Sequence, residues 1–79
     1  MAKPEQAFRL GSVEAAIFVN QGKEGGSFPT IRLQRRYKDE DGNWKSSDSF
    51  TATQAASAIA VLQRAIAHTL DRNYTGDGE

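Results

Sequence analysis

The chain has 79 residues, with ten Lys or Arg side chains balanced by ten Asp or Glu side chains, one histidine and no cysteine. This length predicts one small domain, and the lack of cysteine excludes disulfides and thiolate metal sites. Because a single core in so short a chain supplies only about 3–5 kcal/mol of stability, we expect a homodimer.

The lack of long apolar runs predicts where the protein is located, and the polar ends predict the boundaries of the domain. No apolar run approaches the roughly 20 residues that cross a bilayer, so we expect no membrane partner and a cytoplasmic location. Residues 1–6 are expected to be a disordered N-terminus, and residues 73–79 a flexible acidic tail. Residues 7–72 then form the single predicted domain.

The first half of the chain predicts two strands. Residues 8–10 form a short extended segment, and residues 13–20 alternate between apolar and other side chains, the pattern of a half-buried strand. Gly11-Ser12 between them fits either a two-residue turn or a bulge in one long bent strand. The glycine-rich residues 21–27 predict the longest loop.

Residues 30–38 alternate again and predict a third strand, which leads into a hairpin. Asp41-Gly42 is typical of a type I′ turn, and a two-residue turn there would place Lys38 opposite Lys45. The same register pairs Arg36 with Ser47, Tyr37 with Ser46, Arg35 with Asp48 and Leu33 with Phe50.

From Ala52 the apolar period becomes helical. Thr51 and Gln54 fit a capping box, Thr53 is a competing N-cap, and residues 71–73 are expected to end the helix. Two apolar stripes follow the helix. The first stripe, expected to cover the sheet, comprises Ala55, Ile59, Leu62, Ile66 and Leu70. The second, which either widens the core or lets two helices approach closely in a dimer, comprises Ala58, Val61 and Ala65. We assign the second stripe to the dimer interface.

Together these elements predict an α+β fold: a curved antiparallel ββββ sheet followed by one C-terminal helix, in a homodimer. Catalysis has little support, because His68 is the one histidine and no nucleophile or phosphate-loop motif is present. We expect a non-enzymatic protein without a metal or cofactor, with His68 an ordinary surface or boundary residue.

The predicted solvent face of the sheet carries most of the functional information. Its candidate ligand-binding residues are Arg9, Phe18, Arg32, Gln34, Arg36, Lys38 and Lys45. An aromatic ring among cations is what single-stranded nucleic acid requires, since bases stack on the ring while Arg and Lys follow the phosphates. Lys38 opposite Lys45 would be unfavourable unless an anion bridges them. Two other interpretations of these residues remain open. The face is simply solvated, or the register of β-pairing places Phe18 in the core.

Short segments resemble a known family: FRLG at 8–11, IRLQRRY at 31–37, DEDG at 39–42 and WK at 44–45. With the strands-then-helix order, they resemble the transcriptional coactivator positive cofactor four and its Whirly-like relatives. The resemblance implies a four-stranded sheet plus helix that dimerises through its helices and binds single-stranded DNA. The residues that match the family's DNA-contacting regions are Lys23, Arg32, Gln34, Arg36 and Tyr37.

The sequence therefore favours a homodimeric protein that binds single-stranded DNA with little sequence preference, with RNA left open. Such a protein would serve as an accessory factor in transcription or replication. The alternative is a structural or protein–protein interaction module that uses the sheet face or an edge strand.

Overall fold

The computed structural model describes residues 3–23 and 25–72. An open sheet in the order β1-β2-β3-β4 precedes one helix, and all neighbouring strands are antiparallel. The elements are β1 (Gln6–Leu10), β2 (Val13–Gln21), β3 (Ser27–Lys38), β4 (Trp44–Ser47) and α1 (Ala52–Asp71). The predicted ββββα arrangement is confirmed. Within the described residues, no helix is both long enough and apolar enough to cross a membrane.

The two ends of the fold differ from the predicted boundaries in one respect. β1 begins at Gln6, and the preceding Glu5 N–H donates to the Ile17 carbonyl at 2.7 Å. The hydrogen-bonded fold thus includes the last two residues of the segment predicted to be disordered. The predicted tail, residues 73–79, lies outside the described residues.

The β1–β2 connection is a two-residue turn, which decides between the two interpretations left open by the sequence. Leu10 pairs with Val13, so Gly11 and Ser12 alone form the turn. Gly11 has φ +62° whereas Ser12 has a negative φ, as in the type II′ turns that suit twisted hairpins.

The predicted register of the β3–β4 hairpin is wrong by one residue. Lys38 pairs with Trp44, and Tyr37 pairs with Lys45. The loop has three residues instead of two, because the Asp39 N–H donates to the Asn43 carbonyl at 2.9 Å, and Gly42, at φ +83°, takes the left-handed position. Asp39 Oδ1 also accepts from the N–H groups of Asp41 and Asn43, both at 2.9 Å, which stabilises this longer loop.

The same correction applies to the other predicted pairs of this hairpin. A shift of one residue moves every β4 side chain to the opposite face of the sheet. Lys38 therefore does not face Lys45, and this hairpin has no pair of opposed lysines for an anion to bridge. The observed partners of Arg35 and Arg36 are Ser47 and Ser46.

The core lies between β2 and α1. Val13, Ala15 and Ile17 of β2 are at most 1% exposed. They pack against three buried helix residues, Ala58, Val61 and Ala65. Partly buried apolar side chains surround this cluster: Phe8, Ile31, Leu33, Phe50 and Leu62.

The predicted roles of the two helix stripes are reversed except at Leu62, which packs against the core cluster as predicted. Ala58, Val61 and Ala65, the predicted dimer interface, are buried against the sheet of their own chain and are inaccessible to a second copy. Three members of the other stripe are exposed by 59%, 47% and 79%: Ile59, Ile66 and Leu70. We call these three the exposed helix stripe. Small side chains let the helix approach the sheet closely, and the exposed helix stripe lies about 120° further around the helix axis.

The helix ends agree with the sequence. Thr51 is the N-cap, its Oγ1 accepts from the Gln54 N–H at 3.1 Å, and Gln54 Oε1 accepts from the Thr51 N–H at 3.0 Å. This is the predicted capping box. The C-cap is Arg72, within the predicted end of the helix.

Candidate nucleic-acid interface

The sheet face turned away from α1, here called the outer face, holds most of the predicted binding residues. Cross-strand pairing of Arg9 with Glu14, of Glu14 with Gln34 and of Phe18 with Thr30 places these side chains on one side. Alternation along β3 and pairing with β4 extend this side to both ends of the sheet. The predicted residues on the outer face are Arg9, Phe18, Arg32, Gln34, Arg36 and Lys38.

Three predicted binding residues lie elsewhere. Tyr37 and Lys45 form a cross-strand pair on the inner face, the side that faces α1, so they are removed from the outer-face group. Lys23 follows β2 in the β2–β3 connection. Because successive strands run in opposite directions, this connection is at the other end of the sheet from the β3–β4 hairpin loop.

Cations lie against the aromatic rings of the outer face. The Arg32 guanidinium is 5.2 Å from the centre of the Phe18 ring. Arg36 and Lys38 lie 5.5 and 5.4 Å from the centre of the Trp44 ring. These distances are those of cation–π contacts. The outer face thus carries two aromatic–cation clusters, Phe18 with Arg32 and Trp44 with Arg36 and Lys38.

Phe18 is half-buried within the outer face and does not belong to the core cluster between β2 and α1. The alternative that placed it in the core is therefore wrong. Pairing of Asn20 with Phe28 adds another half-buried ring on the same side, next to Phe18 along the sheet. Aromatic rings therefore lie at both ends of the outer face, Phe18 and Phe28 towards the β2–β3 end and Trp44 at the β3–β4 end.

Trp44 was missed by the sequence reasoning because the assumed two-residue turn placed it on the opposite face. It is 60% exposed, so most of its surface is open to a ligand. The available signal was Asp39 ahead of Asp41-Gly42, since an Asp side chain can accept from backbone N–H groups two residues on and stabilise a longer loop.

Glu14 is the one carboxylate among the residues of β1 to β4, and it lies among the cations of the outer face. Glu14 Oε2 accepts from Arg9 Nη2 at 2.9 Å, and Oε1 accepts from Gln34 Nε2 at 3.2 Å. The Arg9 guanidinium, and after it the Gln34 amide and the charge of Arg36, hold the pKa of Glu14 below its ordinary value, although partial burial opposes this. Glu14 therefore stays ionised and forms an ion pair with Arg9, as a phosphate would.

A cavity of about 400 Å³ opens on this face near the β1–β2 turn. It is lined by Arg9, Gly11, Ser12, Arg36 and Trp44. Two cations and the most exposed aromatic ring of the outer face therefore meet around one opening.

The titratable cluster on the helix has a packing role. His68 Nε2 lies 3.0 Å from Glu5 Oε2, which also accepts from Arg72 Nη1 at 3.1 Å. The Phe8 ring contacts His68 edge-on, and Arg64 lies 5.2 Å from the centre of the Phe8 ring. These contacts attach β1 to α1. Within residues 3–23 and 25–72 no group of His, Asp and Glu side chains could hold a metal ion.

Comparisons with protein-family models, with curated proteins and with solved structures give no match to this chain.

Proposed function

We propose that the protein binds single-stranded nucleic acid, in the first place DNA, across the outer face with little sequence preference. The observation that carries this proposal is the pair of aromatic–cation clusters on one open sheet face. Each aromatic ring offers a stacking surface for a base of any identity, and the adjacent cations are placed to contact phosphates.

The charge distribution supports the same ligand. The chain has no net charge, yet its strands place four cations and one carboxylate on the outer face: Arg9, Arg32, Arg36, Lys38 and Glu14. Phosphate contact by these cations releases counterions from the strand and supplies affinity without sequence discrimination. The resemblance to positive cofactor four and the Whirly-like proteins implied this ligand as well.

The face used for binding can be mapped by a chemical-shift titration with a short oligothymidine. We expect the largest amide shifts in β3 and β4 around Arg32, Arg36 and Trp44, and small shifts in the solvent-exposed turns of α1. Shifts confined to the exposed helix stripe would contradict binding across the outer face, and no shifts at all would favour a protein-interaction module.

Replacing Glu14 by Gln is expected to strengthen oligonucleotide binding about fivefold. A carboxylate about 4 Å from a phosphate costs roughly 1 kcal/mol in water, and its removal also frees Arg9. Fluorescence anisotropy with a labelled oligothymidine measures the change. Glu40→Gln, which neutralises an exposed carboxylate in the β3–β4 loop, is the matched control and should change affinity much less. Equal effects of the two substitutions would mean that only net charge matters.

The same Glu14 substitution has a pH signature. Because folding lowers the pKa of Glu14, its ionised form stabilises the fold above its ordinary carboxyl pKa. This stabilisation, up to about 1 kcal/mol for a pair with an exposed Arg, is lost as the pH falls through the lowered pKa. Urea unfolding of Glu14→Gln should therefore show a smaller loss of stability on acidification than the wild type.

We also propose that the protein is a homodimer in which a second copy covers the exposed helix stripe. The fully buried large side chains of the described chain are only Ile17, Val13 and Val61, which is a small core. Burial of Ile59, Ile66 and Leu70 against their copies would add apolar surface that the protomer leaves in water.

Ile66→Asp is expected to convert a micromolar dimer into a monomer, because it would place a charge in the apolar contact. Sedimentation equilibrium measures the mass directly. Thr53→Asp is the control, since Thr53 is an exposed helix position roughly 100° or more around the helix axis from each of Ile59, Ile66 and Leu70. A wild-type protein of monomer mass at micromolar concentration would contradict the proposed dimer.

A further inference from the structure

The cavity near the β1–β2 turn lies at a step in the sheet. The β1–β2 hairpin ends at Gly11-Ser12, where the Arg36 N–H donates to the Ser12 carbonyl at 2.9 Å. β3 and β4 continue past this point to the Lys38–Trp44 pair. The cavity of about 400 Å³ occupies the step between the turn and the projecting hairpin.

Its lining combines the groups that recognise a nucleotide. Guanidinium groups match the oxygens of a phosphate, and here Arg9 and Arg36 both line one cavity. Trp44, exposed by 60%, offers an indole surface on which a base can stack. A volume of about 400 Å³ is at the lower end of small-ligand sites, suited to one nucleotide.

Side-chain contacts and backbone conformation give the cavity a defined shape. Arg9 is held by Glu14 at 2.9 Å, and Arg36 lies 5.5 Å from the centre of the Trp44 ring. At Gly11, with φ +62°, no atom lies within 4 Å of the position that a Cβ would occupy, so the turn leaves open space beside it. Glu14 binds Nη2 of Arg9, and the other N–H donors of the guanidinium can bind a phosphate oxygen while this ion pair orients them.

We propose that this cavity is a subsite for one nucleotide of the bound strand, with a phosphate between Arg9 and Arg36 and the base stacked on Trp44. The proposal rests on the proposed function and names the place where one nucleotide of the strand binds. Phe18 and Arg32, further along the outer face, would contact a different nucleotide of the same strand.

The test uses the intrinsic fluorescence of Trp44, which is the chain's single tryptophan. Oligothymidine, thymidine monophosphate and thymidine are titrated separately into the full-length protein. We expect the oligonucleotide to quench Trp44 strongly, and the monophosphate to quench it at lower concentration than thymidine, because only the monophosphate engages both arginines.

Variants separate the subsite from the rest of the face. Trp44→Ala should weaken binding of a labelled oligothymidine about five- to one-hundredfold, the range for the loss of one base stack, whereas Trp44→Phe should restore most of it. Arg36→Gln should weaken quenching and reduce the magnitude of the logarithmic salt slope by about 0.7. Tyr37→Ala and Lys45→Gln, neighbours on the inner face, are the controls. Circular dichroism spectra of all variants establish that they are folded.

The failures of the two proposals are distinguishable. Oligonucleotide binding without quenching of Trp44, and with unchanged affinity of Trp44→Ala, would overturn the subsite and leave the proposed function standing. Quenching by the monophosphate without any oligonucleotide binding would support the nucleotide site and overturn the single-strand function. No response to any of the three ligands would overturn both.

Discussion

The double substitution Phe18→Ala with Trp44→Ala is expected to weaken binding of single-stranded DNA at least about thirtyfold, because it removes one base stack of about 1–3 kcal/mol at each ring. The two rings belong to separate aromatic–cation clusters, with Arg32 at 5.2 Å from Phe18 and Arg36 at 5.5 Å from Trp44. The losses should therefore be close to additive. Anisotropy titrations of the single and double variants measure each contribution.

The fold should survive this double substitution, since neither ring belongs to the core cluster between β2 and α1. Tyr37→Ala is the matched control, an aromatic truncation in the same hairpin on the inner face. Its affinity should remain within about twofold of the wild type. A double variant that is folded and binds as tightly as the wild type would exclude stacking on the outer face.

Replacing Ile17 by Ala is expected to unfold most of the protein at room temperature. Ile17 is fully buried in β2, and an Ile→Ala change in a core costs about 2–5 kcal/mol. That cost is comparable to the roughly 3–5 kcal/mol that a core of this size supplies. Urea unfolding followed by circular dichroism, at fixed protein concentration, measures the difference in free energy.

Val19→Ala is the control for this substitution. Val19 lies two residues further along β2 on the same face and is 37% exposed, so its truncation should cost less than about 1 kcal/mol. Similar losses at the two positions would contradict a core centred on Ile17 and the helix residues around Val61.

The hairpin between β3 and β4 shows where sequence reasoning about this fold stops. Alternation correctly predicted β3, and Asp41-Gly42 correctly predicted a hairpin. The loop length depends on the Asp39 carboxylate, which accepts from two backbone N–H groups and favours three residues over two. An error of one residue then exchanged Trp44 and Lys45 between the faces, which changed the composition of the candidate site.

The helix shows a second limit of prediction from the sequence. Helical periodicity identified both apolar stripes and the capping box at Thr51. Periodicity carries no information on which of two adjacent stripes meets the sheet, because that depends on the space left by β2. Val13 and Ile17 fill this space, so the smaller stripe of Ala58, Val61 and Ala65 fits against them, whereas Ile59, Ile66 and Leu70 remain exposed.

The outer face was more predictable than the helix, since pairing within β1, β2 and β3 follows alternation alone. Arg9, Phe18, Arg32, Gln34 and Arg36 all share the predicted side of the sheet. The contacts that give this face its chemistry were not predictable. Glu14 accepts from Arg9 and Gln34, which brings together three strands, and Arg36 lies on Trp44 only in the observed register of β3 and β4.

The most direct test of the account is a titration of labelled oligothymidine with the protein at several salt concentrations. If each dimer neutralises about four to eight phosphates, the slope of log K against log salt should be roughly −3 to −6. A matched duplex should bind more weakly, because its bases are not available for stacking on Phe18 and Trp44. No measurable binding of the single strand at about 50 mM salt, where phosphate contacts are strongest, would contradict the proposed function.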